Sequence, residues 1–409
     1  MSEGSRPTRA RRLRLLFAVA CLSTLTAAQA VPTFRSTDLG ALSSIVDESL
    51  AWAINDAGQV AGESYTPAGD RRAVRWGPQG LPTDLGDLSG GFDSSLAQGI
   101  NDLGDVVGAG TTSAGWSAFL WREGSGMQDL GALVGAAGFS AAFGINNIGQ
   151  VVGSRGIAGT THAFLWDPAG GVLDLGDLPG GADFSAAYAV NEAGRVVGQA
   201  ASGDGFRAFI WDETDGMRSM GTLAGGGASA AYAINDLGQA VGDVQFGFGV
   251  RAFLWEDGVG MTDLGDLGGP AAGLTRATGI NNHGQVVGTS GSSPFLWDAT
   301  TGMIRLDTLI DPLDPLFGLS LDDAVAINDL GQIIVRGPSP TSNILSHAYL
   351  LTPVDIAGVD VPEPIVVMLL VPGLWAAVSR RGRAWRRSRP GDRGDADPPG
   401  SAGTRQPSP

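Results

Sequence analysis

Few side chains in this sequence could do chemistry. There are three histidines, His162, His283 and His347, and a single cysteine, Cys21. A metal site or a nucleophilic triad would need the histidines to converge with carboxylates or a serine. His162 and His347 each precede an Ala-aromatic pair, whereas His283 sits in an Asn-x-x-Gly segment, so nothing in their spacing brings them together. The expectation is no catalytic residue, no metal and no cofactor, with the histidines at strand ends or on the surface. Acidic residues are the next candidates, because oxygen-rich loops can hold calcium. Asp38, Asp84, Asp129, Asp174 and Asp263 each open an Asp-Leu-Gly. Carboxylates there are sparser than in an EF-hand loop, so pairs such as Asp174/Asp177 and Asp263/Asp266 read as caps of Gly-rich turns. Tryptophans can stack on sugar rings, but a Trp recurring at Trp76, Trp121, Trp166, Trp211, Trp255 and Trp297 reads as packing between repeats. Trp116, Phe246 and Phe248 fall outside that rule and are the better ligand candidates.

The elements that must position these residues are repeats. Asn55, Asn101, Asn146, Asn191, Asn235, Asn281 and Asn328 follow one another at intervals of 46, 45, 45, 44, 46 and 47 residues. Each follows Ile or Val and precedes a Gly by three, as in Ile145-Asn146-Asn147-Ile148-Gly149-Gln150-Val151-Val152-Gly153. Ala-Phe-Leu-Trp at 118–121 is a second landmark, and Asp-Leu-Gly a third, with worn forms at Ser219-Met220-Gly221 and Leu306-Asp307. Aromatic and β-branched residues crowd the landmarks while Gly and Asp fill the gaps, predicting four short strands per unit. The strands are apolar on both faces, so both must be buried against neighbours. Four strands in about 45 residues is the arithmetic of a β-propeller blade. The phase is informative too. The chain opens with a lone fourth strand near Thr33–Leu39 and the last copy stops after three strands at Leu351. The expected fold is all-β: a seven-bladed propeller over 31–356, the N-terminal strand closing the last blade. A β-solenoid is the alternative.

Composition narrows the partners. Gly is 64 of 409 residues and 43% of the chain is hydrophobic, so turns abound and a core can still form. Arginine supplies every basic residue; 13 of the 26, against 38 of the 42 acids, lie in residues 31–379, a net −25. Nucleic acid and anionic membrane surfaces are poor partners for this body, since both need positive charge. Cations or neutral glycans fit better.

Both ends carry export signals. Arg6, Arg9, Arg11, Arg12 and Arg14 precede an apolar run from Leu15 to Leu25 and then Ala28-Gln29-Ala30. That order predicts a signal peptide over 1–30, cut after Ala30 by signal peptidase, with Arg11-Arg12 leaving the twin-arginine route open beside the general one. Cys21 falls in this leader, so the mature body has no disulfide. At the other end Pro362, Glu363 and Pro364 precede an apolar run over 365–379 and then Arg380, Arg381, Arg383, Arg386 and Arg387. Fifteen residues rise about 22 Å as a helix, short of a roughly 30 Å hydrocarbon core. The arginines would stay cytoplasmic. A disordered tail over 388–409 follows.

This tripartite tail, 357–387, resembles the PEP-CTERM sorting signal, and its Pro362-Glu363-Pro364 matches the family motif. The repeat over 37–351 resembles the HAF repeat of bacterial extracellular proteins, whose tripeptide stands at His162-Ala163-Phe164. The resemblances imply an exosortase substrate that meets the inner membrane of a Gram-negative bacterium transiently and ends secreted or at the cell surface. The function read from them is a non-enzymatic binding or structural module associated with exopolysaccharide or other envelope glycans. The alternative is a glycan-active propeller enzyme, a glycosidase or lyase, which would need paired carboxylates in the ring mouth.

Overall fold

The computed structural model describes residues 32–136, 138–268, 273–339 and 346–354. The leader with Ala28 and Ala30, the Pro362-Glu363-Pro364 motif, the apolar run and the arginine tail lie outside them. Among the described residues no helix is long and apolar enough to cross a membrane.

Blade 3 shows how the sequence builds the unit. Its strands, from the axis outward, are Ser140–Ile145, Val151–Ile157, Thr160–Asp167 and Gly171–Asp174, each antiparallel to the next. The first turn is Asn146-Asn147-Ile148-Gly149. Asn146 N–H donates to Gln150 O at 3.1 Å, and Gly149 N–H returns to Asn146 O at 3.0 Å. Gly149 takes φ +84°, where a side chain would be strained. The inner strand bulges between Ala142 and Gly144, which drives its backbone into the second strand. A Cβ on Gly153 would stand 2.0 Å from Ala141 O, so the Val-Val-Gly of the repeat ends in glycine because nothing larger fits. Blade 7 carries Val335 at that place. We have no physical account of how it is accommodated.

Seven such four-stranded sheets form the ring. The second strand of blade 3 is buried over its first five residues, whereas the outer strand is exposed along its length. Burial on both faces thus holds for the middle of each blade and fails at its rim, because the outer strand has a neighbouring sheet to cover it only in part.

The core is divided among the blade interfaces. Seven apolar clusters each join one blade to the next; one contains Val152, Ala163 and Leu165 of blade 3 with Ala187, Val196 and Phe209 of blade 4. The Phe of the Ala-Phe-Leu-Trp landmark, at Phe119, Phe164, Phe209, Phe253 and Phe295, is fully buried in each copy that has it. Each such ring contributes roughly 2–3 kcal/mol of transfer free energy. Trp76, Trp121 and Trp255 are buried in these interfaces as well.

Closure is made by the two ends of the body. Thr33–Asp38 pairs antiparallel with Ser346–Val354, from Thr33↔Val354 to Asp38↔Tyr349, as the outer strand of the seventh sheet. A closed seven-bladed β-propeller results, and the solenoid does not apply.

Candidate functional site

At the axis the repeated asparagines form a closed ring. Each side-chain Nδ2 donates to the backbone carbonyl of the corresponding Asn in the next blade: Asn55 to Asn101 at 2.8 Å, Asn146 to Asn191 at 3.1 Å, and finally Asn328 to Asn55 at 3.0 Å. The Oδ1 atoms accept the N–H four residues on, as from Gln150 at 2.9 Å. The asparagines therefore build the blades.

A second ring lies on the first. The residue after each Asn accepts the backbone N–H of its counterpart in the preceding blade, from Asp56 N–H to Asp102 Oδ1 at 2.9 Å round to Asp329 N–H to Asp56 Oδ1 at 2.8 Å. Five of these are carboxylates, Asp56, Asp102, Glu192, Asp236 and Asp329, and two are amides, Asn147 and Asn282. Together with a lining of Ile54, Ile100, Ile145, Val190, Ile234, Ile280 and Ile327 they enclose an axial cavity of about 180 Å³. Burial pushes the Asp56 carboxyl up; the Asp329 N–H opposes this, and the charges of Asp329, Asp102 and Asp236 add to it. Glu192 is raised likewise by burial, against the Asn147 N–H and with the repulsion of Asp236 and Asp102. The mouth is a concentrated negative patch whose signal was present in the sequence, as the polar residue following every repeated Asn.

Beside the mouth, at blades 5 to 7, lies a cleft of about 740 Å³. Trp297, His283, Gln239, Gln285, Glu256 and Thr300 are among its walls. His283 is exposed there on its turn.

The Asp-Leu-Gly aspartates do cap turns. Oδ1 accepts the N–H of the following Gly, Asp38 from Gly40 and Asp84 from Gly86 at 2.8 Å, Asp174 from Gly176 and Asp263 from Gly265 at 2.9 Å. Their other contact was missed: each also faces the residue that opens Ala-Phe on the third strand. Ser117 pairs with Asp129, Arg251 with Asp263, His162 with Asp174 and His347 with Asp38. The two histidines expected at strand ends or on the surface lie near the starts of third strands and each meet carboxylates, because strand pairing sets the third and fourth strands side by side at this phase.

His347 is buried in the seam between blades 7 and 1. Nδ1 lies 3.0 Å from Asp38, and Nε2 lies 3.0 Å from an Asp47 carboxylate oxygen. Burial would lower its basicity, but the Asp38 bond and the Asp38 and Asp47 charges outweigh it and hold the imidazole above its ordinary value. His162 has Asp174 at 3.1 Å from Nδ1 and Asp183 at 3.2 Å from Nε2. Burial lowers it too, and the bond to Asp174 with the charges of Asp174, Asp177 and Asp183 raises it on balance.

A buried serine also escaped the sequence reading. Ser185 Oγ accepts Ala163 N–H of the preceding blade at 3.0 Å and donates to Gly176 O at 2.7 Å. Ser95 and Ser229 repeat this bridge. Its signal was a serine six residues before the repeated Asn in the first five copies, replaced by Thr275 and Asp322 in the last two. Of the aromatic candidates, Trp116 and Phe246 belong to strands, paired with Thr111 and Gly249. Phe248 is fully exposed in a turn.

No protein-family model and no curated protein matches this chain. Among solved structures it is similar to a virginiamycin B lyase from Staphylococcus aureus, with TM-score 0.50 and 9% identity over 78% of this chain and 100% of that one. A streptogramin B lyase matches with TM-score 0.45 and 12% identity over 79% of this chain and 98% of that one. TolB from Acinetobacter baumannii matches with TM-score 0.40 and 14% identity over 61% of this chain, which spans only 62% of TolB. At such identities the first likeness speaks for the propeller fold alone.

Proposed function

We propose that this chain is an exported propeller that binds a neutral or cationic glycan outside the cell. Delivery would follow the route read from its ends, signal-peptide cleavage after Ala30 and exosortase sorting at Pro362-Glu363-Pro364. The observation that carries the binding reading is the cleft of about 740 Å³, within the range of small-ligand sites, in which the Trp297 indole shares the wall with amides, hydroxyls and the three carboxylates of Glu256, Asp298 and Asp329. An aromatic face beside such groups suits a sugar ring, which is apolar across its face and hydroxylated at its edge. The body's negative charge disfavours acidic glycans. Glycosidase or lyase chemistry is the weaker reading. It needs two carboxylates free across a bound sugar, whereas those of the cleft are engaged within the protein: Glu256 accepts the Gln239 amide, Asp298 the N–H groups of Thr300 and Thr301, and Asp329 the N–H of Asn282.

The test is a glycan array with the purified full chain, followed by titration of its best neutral or cationic hit. Thr300→Trp places a bulky ring at the exposed rim of the cleft and should weaken binding by about tenfold or more, near 1.4 kcal/mol, with unchanged melting. Unaltered affinity would remove the cleft from the proposal. Shortening of the glycan during incubation would favour the enzyme.

A further inference from the structure

The loops that carry the chain from one blade to the next contain one acidic cup that occurs twice. Asp84, Asp87 and Asp93 follow blade 1, and Asp174, Asp177 and Asp183 stand at the corresponding places after blade 3. In the first cup a permanent cation fills the space. Arg72 puts one nitrogen 2.8 Å from Asp87 and another 3.9 Å from Asp93, with the Asp84 charge acting on it as well. In the second cup the position of Arg72 is taken by His162.

That exchange leaves a set of unsatisfied acceptors. His162 Nδ1 lies 3.1 and 3.2 Å from the two oxygens of Asp174, a carboxylate also held by Arg155 at 3.1 Å and by Gly176 N–H at 2.9 Å. Since a carboxylate accepts, Nδ1 carries the proton, and in the neutral ring Nε2 is a lone pair. Nε2 faces Asp183 Oδ1 at 3.2 Å and Asp177 Oδ2 at 3.9 Å. Nε2 and Asp177 Oδ1 are buried atoms without a hydrogen bond. Acceptors so placed repel unless something positive stands among them, either a proton on Nε2 shared with Asp183 or a metal ion that displaces that proton.

We propose that His162 Nε2, Asp177 and Asp183 bind one divalent transition-metal ion of the zinc type, which takes the place that the Arg72 guanidinium takes in the first cup. Ligand atoms of all three residues lie within 4.8 Å of one another. Atoms bound at about 2.0–2.1 Å to tetrahedral zinc stand about 3.3–3.4 Å apart, so Nε2 and Asp183 are already at a coordination edge. Asp177 closes its longer edge by a small side-chain rotation. Asp174 supplies the outer carboxylate that fixes the tautomer of a metal-bound histidine. With Asp174 paired to Arg155, the two remaining carboxylate charges match a divalent ion. A nitrogen ligand selects zinc-like ions against calcium and magnesium, which prefer all-oxygen sets. Three protein ligands leave a fourth position, and the exposed Asp183 places it toward solvent.

The test uses the full chain, untagged and stripped with chelator, titrated with zinc chloride by calorimetry at neutral pH. One zinc per chain is expected. His162→Arg copies the first cup and should keep the fold while weakening zinc binding by about 100-fold or more, beyond the 10–100-fold that a lost outer-shell partner costs. Asp183→Asn, on an exposed loop residue, should weaken it comparably without changing the melting of the metal-free chain. Absence of zinc uptake by the wild type at millimolar metal, or unchanged uptake by either variant, overturns the proposal. Calcium bound as tightly as zinc overturns the assignment of Nε2 as a ligand.

Discussion

At the residue scale, the most informative side chain is the repeated asparagine. Asn146 is buried and spends its amide on three bonds, to Gln150 Oε1, to Asn191 O in the next blade, and from Gln150 N–H. Asn146→Ala would leave buried backbone groups without partners and should cost about 2–4 kcal/mol in urea denaturation. Ile148→Ala, on the exposed tip of the same turn, should stay within about 0.5 kcal/mol. Equal effects at the two positions would mean that the ring of amides is decorative. The recurrence of Asn was legible in the sequence; its bonding was not, because the partner of each amide lies one whole repeat away. The carboxylate mouth left its mark as the polar residue after every repeated Asn, but its assembly was hidden for the same reason. Asp56, Asp102, Glu192, Asp236 and Asp329 are scattered along the chain and become neighbours only when the ring closes. His162 and His347 were misjudged because spacing along the chain says nothing of which residue pairing sets opposite. The antiparallel register puts His162 beside Asp174, and sequence distance had to be read as strand geometry to see it.

At the element scale, strand number, order and turn placement followed from alternating β-rich and Gly-rich stretches, since both signals are local. The bulge in every inner strand was not visible, because no residue type marks it. Its trace is the glycine opposite. Gly153→Ala must push a methyl into Ala141 O, found 2.0 Å from the position of the added carbon. Overpacking of this kind against backbone should cost about 2–3 kcal/mol. Gly170→Ala is the matched control: its added carbon meets nothing closer than 3.6 Å and its φ is not positive, so a change below about 1 kcal/mol is expected. Comparable midpoints in denaturant for the two variants would rule out the bulge as the reason for the glycine. The outer strand of blade 3 was also misread as buried on both faces, because Val172 and Leu173 look like core residues in sequence yet stand exposed at the rim of the blade.

At the scale of the whole molecule, stability depends on the seam where the first and last strands meet, and His347 joins three parts of it. The imidazole sits on the last strand, Asp38 on the first, and Asp47 on the segment entering blade 1. The nearest ring is Tyr349, at 6.3 Å. Its phenol donates to Pro338 O, and burial holds it above its ordinary value, so it stays protonated across the range considered. Because folding raises the basicity of His347, the folded chain binds that proton more tightly than the unfolded chain does. The stabilisation is then fully present below the ordinary histidine value of about 6.5 and is lost as pH rises through the higher folded value. His347→Gln removes this term and leaves distant groups such as His162 unchanged, so they cancel in the difference. The wild type should melt above the variant by about 2 °C or more at pH 6, and the gap should shrink steadily toward pH 9. A gap that is constant with pH would mean that the seam is held by packing of Leu39, Ile334 and Leu350 without help from the imidazolium. A gap that widens with pH would mean that the buried histidine is neutral in the folded ring.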